Sequence, residues 1–422
     1  MRVVRTQWPV GQGCFASGII DVEGRRPLHY VYDCGARNVT QLEPIVERYS
    51  DMVGKIDALF ISHFDGDHVD GLDRLLARTQ VSDVYLPYLD MATRVLTIVE
   101  EMMAGAVTAT FIQAVLDPVR WLTDRGAERV IFVRNEDGSG PYSPPDTDPD
   151  GGGDPDSPVL AKADVAPISE TKAGLTSDTD GFGTESHHSQ IMEMKTGGAV
   201  NIVKGYSVVW VLVPYVPHVD PRNLKAFRKR VTDLLNLPEG SAIPAYRVVE
   251  QLKSDDGREA LRQCYDEIIT AGASSSQHNK ISMSLYSGPV LPNQFHLSIL
   301  RHRGAHWWMG PDEPHGGVGW IGAGDAKLKN GSYRNAWIDF YRQLLPMVGT
   351  FLLPHHGSKA NWHSQLLRNV PATFFVAAAD EADAGYKHPS AKVVDEIEHA
   401  GGLLIHVTKK PKSRFIEILS SF

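Results

Sequence analysis

Four residues that can bind a metal ion lie within six positions of one another, in the segment SHFDGDHVDG (62–71). They are His63, Asp65, Asp67 and His68, in the pattern H-x-D-x-D-H. Ionisable side chains this close repel or desolvate one another unless a divalent cation neutralises them. An acidic surface turn is the alternative, but it explains neither the apolar run before the motif nor the two histidines. We therefore predict a metal site here.

Three later segments carry further candidate functional residues. GAGDAK (322–327) contains Asp325, FLLPHHGSK (351–359) contains His355 and His356, and YKHPS (386–390) contains His388. Each has a simpler interpretation, since an aspartate after glycine is often a turn residue or helix cap, and a histidine before proline is often a surface residue. We also predict that Pro389 opens a helix, at its first position. Functional groups collect at strand ends in layered α/β folds, so these segments together favour one shared site.

The elements predicted around these residues are strands at both ends of the chain and helices between them. DALFISH (57–63) is an apolar run of strand length that leads into the first motif. Further strands are predicted from RVVRTQWPV, CFASGIIDV, LHYVYDCG, DVYLPYL, ERVIFVR, SVVWVLVPYV, ISMSLYS, FHLSIL, VGWIGAGD, GTFLLPHH, TFFVAAA, LLIHVTK and RFIEILS. This order predicts an α/β protein, built as a layered αββα sandwich.

The middle of the chain has a different composition. Residues 135–158 contain 11 Pro or Gly residues and seven acidic residues, with no Lys or Arg. Such a segment buries too little apolar surface to offset the entropy of ordering it. We predict a loosely held or disordered segment near 135–200, inside a long and partly helical insertion.

The whole-chain composition restricts the function further. The chain has 422 residues, 42% of them hydrophobic, which is enough for a large core. No apolar run is long enough to span a membrane, and the N-terminus has no signal-like apolar region. With only three scattered cysteines, the chain is expected to be cytoplasmic. Its net charge of −9 argues weakly against nucleic-acid binding, although the acidic middle segment contributes much of that charge.

The order of these motifs resembles that of the metallo-β-lactamase superfamily, and most closely the soluble domain of ComEC-type DNA-uptake proteins. H-x-D-x-D-H is followed by a strand-end GD, then PHHGS, then a GHP-like element, here YKHPS. WPVGQGCFASGII (8–20) stands in place of the family's DVGQGD-like start, and YDCG (32–35) matches its aspartate-glycine strand end. The resemblance implies that residues 1–90 and 275–422 form the two halves of the sandwich. Residues 91–274 would be the insertion, large enough to dock a protein partner.

The resemblance also implies a ligand set for two divalent metal ions. His63 and Asp65 would hold the first, Asp67 and His68 the second, and Asp325 would bridge them. Of the late histidines, His356 is favoured over His355, because the family's ligand directly precedes a glycine. A third ligand to the first metal would fall in QHNKIS (277–282), with His278 and Asn279 as candidates. Asp65 stands where the family more commonly has a histidine, and an oxygen ligand favours harder cations, so Mn²⁺ and Zn²⁺ are expected equally. The sequence also departs from the family at Cys14, where the family has an acidic residue.

The chemistry expected of such a site is hydrolysis by a metal-activated water. The candidate catalytic residues are Asp67, His388 and Lys359. Of the residues near the late histidines, His388, Lys359 and Ser358 could donate a proton to the leaving group or contact a phosphate. A phosphodiester in a nucleic acid or nucleotide is the leading substrate. Hydrolysis of a small ester, thioester or amide is one alternative. A metal-binding, non-catalytic component of a multi-protein system, such as phage defence, is another.

Basic segments support a nucleic-acid substrate. Lys225, Arg228, Lys229 and Arg230 lie on one predicted helix, and Lys409, Lys410, Lys412 and Arg414 lie in one turn. RHRGAHWW (301–308) interleaves basic and aromatic residues that can stack on bases. Solvated surfaces, and a loop packed onto the sandwich, are the alternatives for these segments.

Overall fold

The carboxyl ends of parallel strands from two sheets meet at one end of this protein. The computed structural model describes residues 1–105, 107–135, 140–143, 160–162, 165–168, 191–204, 207–218, 222–270, 281–308, 317–380 and 387–421. Two mixed β-sheets are accompanied by helices, which confirms the α/β class. Most of the segment predicted to be disordered, near 135–200, lies outside the described residues.

The strands alternate with helices along most of the chain. The strands are β1 Arg2–Gln7, β2 Phe15–Asp21, β3 Leu28–Cys34, β4 Lys55–Phe60, β5 Gln80–Pro87, β6 Ala127–Arg134, β7 Leu160–Lys162, β8 Val165–Pro167, β9 Ile191–Lys195, β10 Val200–Lys204, β11 Ser207–Tyr215, β12 Ser284–Pro289, β13 Phe295–His302, β14 Ala305–Trp308, β15 Gly319–Gly322, β16 Val348–Leu352, β17 Phe374–Ala378, β18 Leu403–Val407 and β19 Phe415–Ser421. The helices are α1 Val39–Met52, α2 Gly66–Val69, α3 Leu72–Leu76, α4 Met91–Ala104, α5 Ala109–Leu116, α6 Pro118–Thr123, α7 Arg222–Leu234, α8 Ala245–Leu252, α9 Asp255–Thr270, α10 Gly331–Tyr341, α11 Gln365–Asn369 and α12 Ala391–His399.

The larger sheet has the order β14-β13-β19-β1-β2-β3-β4-β5-β6-β9-β8, and the smaller has the order β18-β17-β16-β15-β12-β11-β10-β7. Neighbouring strands are parallel from β3 to β6 and on to β9, and again from β15 to β18. The carboxyl ends of parallel strands lie at one edge, where α/β sheets place functional groups.

The two sheets pack against each other through apolar side chains and a few buried hydrogen bonds. Tyr30 Oη donates to Ser287 Oγ at 2.9 Å, and Tyr32 Oη donates to the Met283 carbonyl at 2.7 Å. The other face of the smaller sheet packs on α10, α11 and α12, where Trp337 is buried. The apolar run in β4 is buried from Ile56 onward, as expected for a central parallel strand.

The segment 91–274 is integrated into both sheets. Its strands β6, β8 and β9 extend the larger sheet, while β7, β10 and β11 extend the smaller one. Residues 275–422 in turn supply β13, β14 and β19 to the larger sheet, beside β1. The boundaries predicted at 90 and 274 therefore do not coincide with boundaries of the sheets.

Two further findings concern individual elements. The prediction that Pro389 opens a helix is wrong by two residues, since α12 begins at Ala391 and Ser390 occupies its N-cap position. Among the described residues, no helix is both long enough and apolar enough to cross a membrane.

Candidate metal centre

The predicted ligands converge where β4 and β15 to β17 end. His63 follows β4, Asp325 follows β15, and His355 and His356 follow β16. The Met283 amide donates to the Ser62 carbonyl at 2.8 Å, which ties the end of β4 to the segment before β12 in the other sheet. Two sheets thus contribute to one cluster.

His63, His68 and Asp325 form the first group in this cluster. Each offers a ligand atom within 4.8 Å of the others, and all three residues are buried. His68 Nε2 lies 3.3 Å and His63 Nε2 lies 3.8 Å from the two Asp325 oxygens. Asp65 Oδ2 is 3.4 Å from His63 Nε2. Asp325 therefore lies between the two histidines of the first motif.

Asp67, His68 and His356 form a second group that shares His68 with the first. His356 Nε2 lies 3.1 Å from Asp67 Oδ2. His355 also reaches the cluster, with its Nδ1 2.7 Å from Asp325 Oδ2. The structure therefore places both late histidines at the site, His356 beside Asp67 and His355 beside Asp325.

The hydrogen bonds of the histidines fix which ring nitrogen can bind a cation. Nδ1 of His68 donates to Asp33 Oδ2 at 2.8 Å, and Nδ1 of His356 donates to the Ala378 carbonyl at 2.8 Å. Nδ1 of His63 donates to Ser62 Oγ at 2.8 Å, because the Ser62 hydroxyl itself donates to Asp33. Each ring therefore presents Nε2 to the cluster, as metal-binding histidines do.

Several buried atoms in the cluster lack hydrogen bonds. Within the described part of the chain, His63 Nε2, His68 Nε2 and Asp325 Oδ1 have no hydrogen-bond partner. Buried polar atoms are paired in the great majority of native structures, so three such atoms in one cluster require an explanation. Imidazole nitrogens and carboxylate oxygens are donors that Zn²⁺ and Mn²⁺ accept. The donor set therefore fits divalent cations.

Asp33 and Ser62 support the cluster, and sequence reasoning assigned them no role. Asp33 is fully buried and accepts from the Ser62 amide at 2.6 Å and from the Ser62 hydroxyl at 2.7 Å, besides His68. Asp33 has a left-handed backbone, with φ of 56°, a conformation that aspartate tolerates better than most residues. The only sequence signal was its place in the YDCG strand end.

The backbone around the ligands is locally restricted. Gly324 has φ of +50°, and a Cβ there would lie 2.2 Å from Ser282 Oγ, so only glycine fits before Asp325. His355 and His356 are left-handed in succession, with φ of 47° and 56°. Such strain is costly for residues other than glycine and is concentrated at functional sites. It turns both imidazoles toward the ends of the two sheets.

Cys14 forms a third group with Asp33 and His68, all within 4.8 Å. Burial, together with the Asp33 charge, raises the pKa of the Cys14 thiol well above its ordinary value. Only the thiolate binds a metal ion, so metal binding here would require the Cys14 thiol to lose its proton. Cys14 packs against the carboxylate that orients His68.

Without a metal ion, the carboxylates of the cluster favour protonation of His68 and His355. Burial lowers the pKa of His68, but the charges of Asp33 and Asp325 outweigh burial and raise that pKa well above its ordinary value. The pKa of His355 is likewise raised, because Asp325 outweighs the effect of burial. The pKa of Asp325 is lowered well below its ordinary value, since His355 and His68 outweigh burial. The carboxylates of the cluster therefore favour positive charge on the histidines beside them.

This arrangement predicts how the stability of the metal-free protein depends on pH. A histidine whose pKa is raised by folding contributes stability that is complete below its unfolded pKa, near 6.5, and is lost as the pH rises through the raised value. We expect the free energy of unfolding of EDTA-treated protein to fall as the pH rises above about 6.5, by at most about 1.4 kcal/mol per pH unit for each such histidine, to be measured by urea denaturation. Metal-loaded protein is the control and should show no such fall. Equal slopes in the two forms would contradict the prediction.

The remaining predicted residues differ in their placement. The ring centroid of His388 lies 5.7 Å from that of His355 and 6.4 Å from that of His356. Burial, with the charges of His356 and His355, lowers the pKa of His388 to about 4, which does not favour proton donation by an imidazolium. Lys359 is exposed. His278 and Asn279 lie outside the described residues.

Helix α4 also brings an acidic residue to this region, which sequence reasoning missed. Burial, and then the charges of Asp65 and Asp67, raise the pKa of Glu101 to about 7. Burial and the same Asp67 charge raise the pKa of Asp70 to about 6. No local motif marks Glu101, because only the packing of α4 brings it near the cluster. The segment 91–274 therefore forms part of the surroundings of the site.

Comparison with known proteins adds no assignment to this geometry. Neither the protein-family models nor the curated proteins include a match to this chain.

Proposed function

We propose that this protein is a metal-dependent phosphodiesterase or nuclease of the metallo-β-lactamase fold, with two divalent metal ions bound by the cluster. The observation that carries the proposal is the set of buried atoms without hydrogen bonds, His63 Nε2, His68 Nε2 and Asp325 Oδ1. The two facing sheets, with ligands at the ends of β4, β15 and β16, support the fold assignment.

His63, Asp65 and Asp325 would hold one ion, with His355 able to complete its coordination. Asp67, His68 and His356 would hold the other, with Asp325 shared between the two. When bound, the ions supply Lewis-acid charge and lower the pKa of water toward neutrality, which suits hydrolysis at phosphorus. The mixture of carboxylates and imidazoles is compatible with Mn²⁺ and with Zn²⁺.

The protein residues around the cluster have separate tasks. Asp33 and Ser62 fix the tautomers of His68 and His63, so that both rings present an unprotonated Nε2. His388, which is neutral at neutral pH because of its lowered pKa, would donate a neutral ring N–H to a phosphate oxygen. Lys359 would act as a mobile counter-charge to the same group.

Two basic surfaces support a nucleic-acid substrate over a small ester. Lys409 pairs with Asp380 at 2.6 Å. Asp380 lies two residues after Ala378, and the Ala378 carbonyl accepts the hydrogen bond from His356. The second basic segment therefore begins beside the cluster. The first lies on α7, where Lys225, Arg228, Lys229 and Arg230 are exposed while Leu224 and Phe227 face the core. Both surfaces could hold a phosphate backbone.

The experiment that tests the proposal measures metal content and cleavage on the same preparation. Purified protein is loaded with Mn²⁺ or Zn²⁺, its metals are counted by elemental analysis, and labelled DNA and RNA are offered as substrates. We expect two ions per chain and cleavage that EDTA abolishes and the metal restores. Asp67→Ala, purified identically, controls for a contaminating nuclease.

Each outcome distinguishes the alternatives that the sequence left open. Two metals without cleavage of either nucleic acid would contradict the nuclease proposal and favour a small ester, thioester or amide. Absence of bound metal, with the fold intact, would contradict the whole assignment.

A further inference from the structure

A cavity of about 230 Å³ lies beside the metal cluster, between the loop that carries the first motif and helices α5 and α6. Phe64, Phe111, Ala114 and Trp121 form much of its apolar lining, and Asp70 and Asp73 contribute carboxylates. The four apolar residues are buried, whereas both aspartates are exposed. The cavity thus has an apolar interior and an acidic rim. It is smaller than the roughly 300–1,000 Å³ pockets that enclose drug-sized ligands, so it suits a single ring system.

Trp121 provides the second feature of this cavity. The residue is only 7% exposed, and its Nε1–H has no hydrogen-bond partner in the described ranges. Arg125 covers the indole ring at 4.3 Å from the centroid, donates to the Trp121 carbonyl at 3.0 Å and pairs with Asp73. Arg125 therefore holds the indole in place, while its buried Nε1–H is left without a partner among the described residues. A buried donor without a partner indicates that a ligand atom or water completes the hydrogen bond.

The polar groups of the cavity define the chemistry of its occupant. The side chain of Asp70 makes no hydrogen bond or ion pair with any described residue, so its carboxylate can accept hydrogen bonds from amino groups. Asp73 is paired with Arg125, whereas the Asp70 carboxylate keeps its charge at the rim and disfavours a phosphate beside it. Phenylalanine and tryptophan faces favour a flat aromatic ring. A planar heterocycle with an exocyclic amino group and a ring acceptor meets all these conditions.

The cavity adjoins the loop that carries the first metal-binding motif, since Phe64, Val69 and Asp70 line it. Phe64 lies between His63 and Asp65 in the chain, and the charge of Asp67 acts on Asp70. We propose that the cavity binds an amino-bearing nucleobase of the substrate, so that the phosphate of the same or the adjacent nucleotide lies at the metal cluster. This inference rests on the proposed function. It assigns the substrate class by base as well as by phosphate, with adenine and cytosine preferred over uracil.

The test is nucleoside binding to the full-length protein by equilibrium dialysis, which does not depend on catalysis. Wild type should bind adenosine and cytidine about tenfold more tightly than uridine, because uracil leaves Asp70 without an amino donor. Ala114→Leu fills the cavity and should weaken adenosine binding at least tenfold. Gln113→Leu, an exposed neighbour on α5, is the matched control and should bind as wild type does.

A second variant keeps the test decisive if Ala114→Leu does not fold. Asp70→Asn preserves the volume of the side chain and should reduce the preference for adenosine over uridine to about one. Absence of adenosine binding to wild type, or binding that neither Ala114→Leu nor Asp70→Asn alters, would overturn the cavity assignment and leave the proposed cleavage intact. If nucleosides bind as expected but the protein holds no metal and cleaves no nucleic acid, the base site is supported and the catalytic proposal is overturned.

Discussion

Asp325→Asn is expected to abolish most of the proposed hydrolytic activity and to reduce the proposed two bound metal ions per chain to one or none. Asp325 lies within 3.8 Å of His63, His68 and His355, so its carboxylate is shared by more of the cluster than any other predicted ligand. An asparagine of the same size has one acceptor oxygen and no charge, and cannot serve two cations. We expect a fall in kcat/KM on the order of a thousandfold, which corresponds to about 4 kcal/mol of transition-state stabilisation.

Metal counting and cleavage of labelled nucleic acid on one preparation measure both effects. Asp339→Asn makes the same substitution at an exposed residue of α10 and should leave both quantities unchanged. The metal-free form of Asp325→Asn should also lose part of the pH-dependent stability described above, because Asp325 raises the pKa of His355 and, after Asp33, the pKa of His68. An Asp325→Asn protein that keeps two ions would show that this aspartate is not a shared ligand.

The sequence predicted the residues of the cluster better than it predicted their surroundings. H-x-D-x-D-H is a local pattern, and the strand before it is buried as its apolar composition indicates. Asp325 and the late histidines follow strands, so the rule that parallel strands end at one edge was enough to place them together. The sequence does not settle which of His355 and His356 is the ligand. Their placement depends on two successive left-handed residues, a conformation that no spacing rule predicts.

The parts that sequence missed depend on contacts between distant segments. Residues 91–274 are predicted as an insertion because the family resemblance does not cover them, whereas in the structure β6 pairs with β5 and β11 pairs with β12. Composition shows neither which strand β6 pairs with nor where α4 packs. The positions of Glu101 near the cluster and of Trp121 in the adjoining cavity follow from that packing. Only the three-dimensional structure reveals this packing.

Asp33→Asn tests whether the cluster depends on the carboxylate behind it. Asp33 accepts three hydrogen bonds, two from Ser62 and one from His68 Nδ1. Asparagine keeps the left-handed backbone but must direct its NH₂ group at one of these donors. If the Nδ1 proton of His68 moves to Nε2 in response, the ring can no longer bind a cation. We expect metal affinity to fall about 10–100-fold, as for other residues that orient metal ligands.

The measurement for Asp33→Asn is competition for Zn²⁺ against a chelator of known affinity, with urea denaturation of the metal-free protein beside it. Stability should fall by roughly 1–3 kcal/mol, because a buried donor is left unsatisfied. Asp57→Asn is the matched control, since Asp57 is 2% exposed and accepts from Arg26 and the His29 amide away from the cluster. The control should lose stability and keep its metal affinity. If both variants bind Zn²⁺ as wild type does, Asp33 serves the fold alone, and the tautomer of His68 is set by the metal itself.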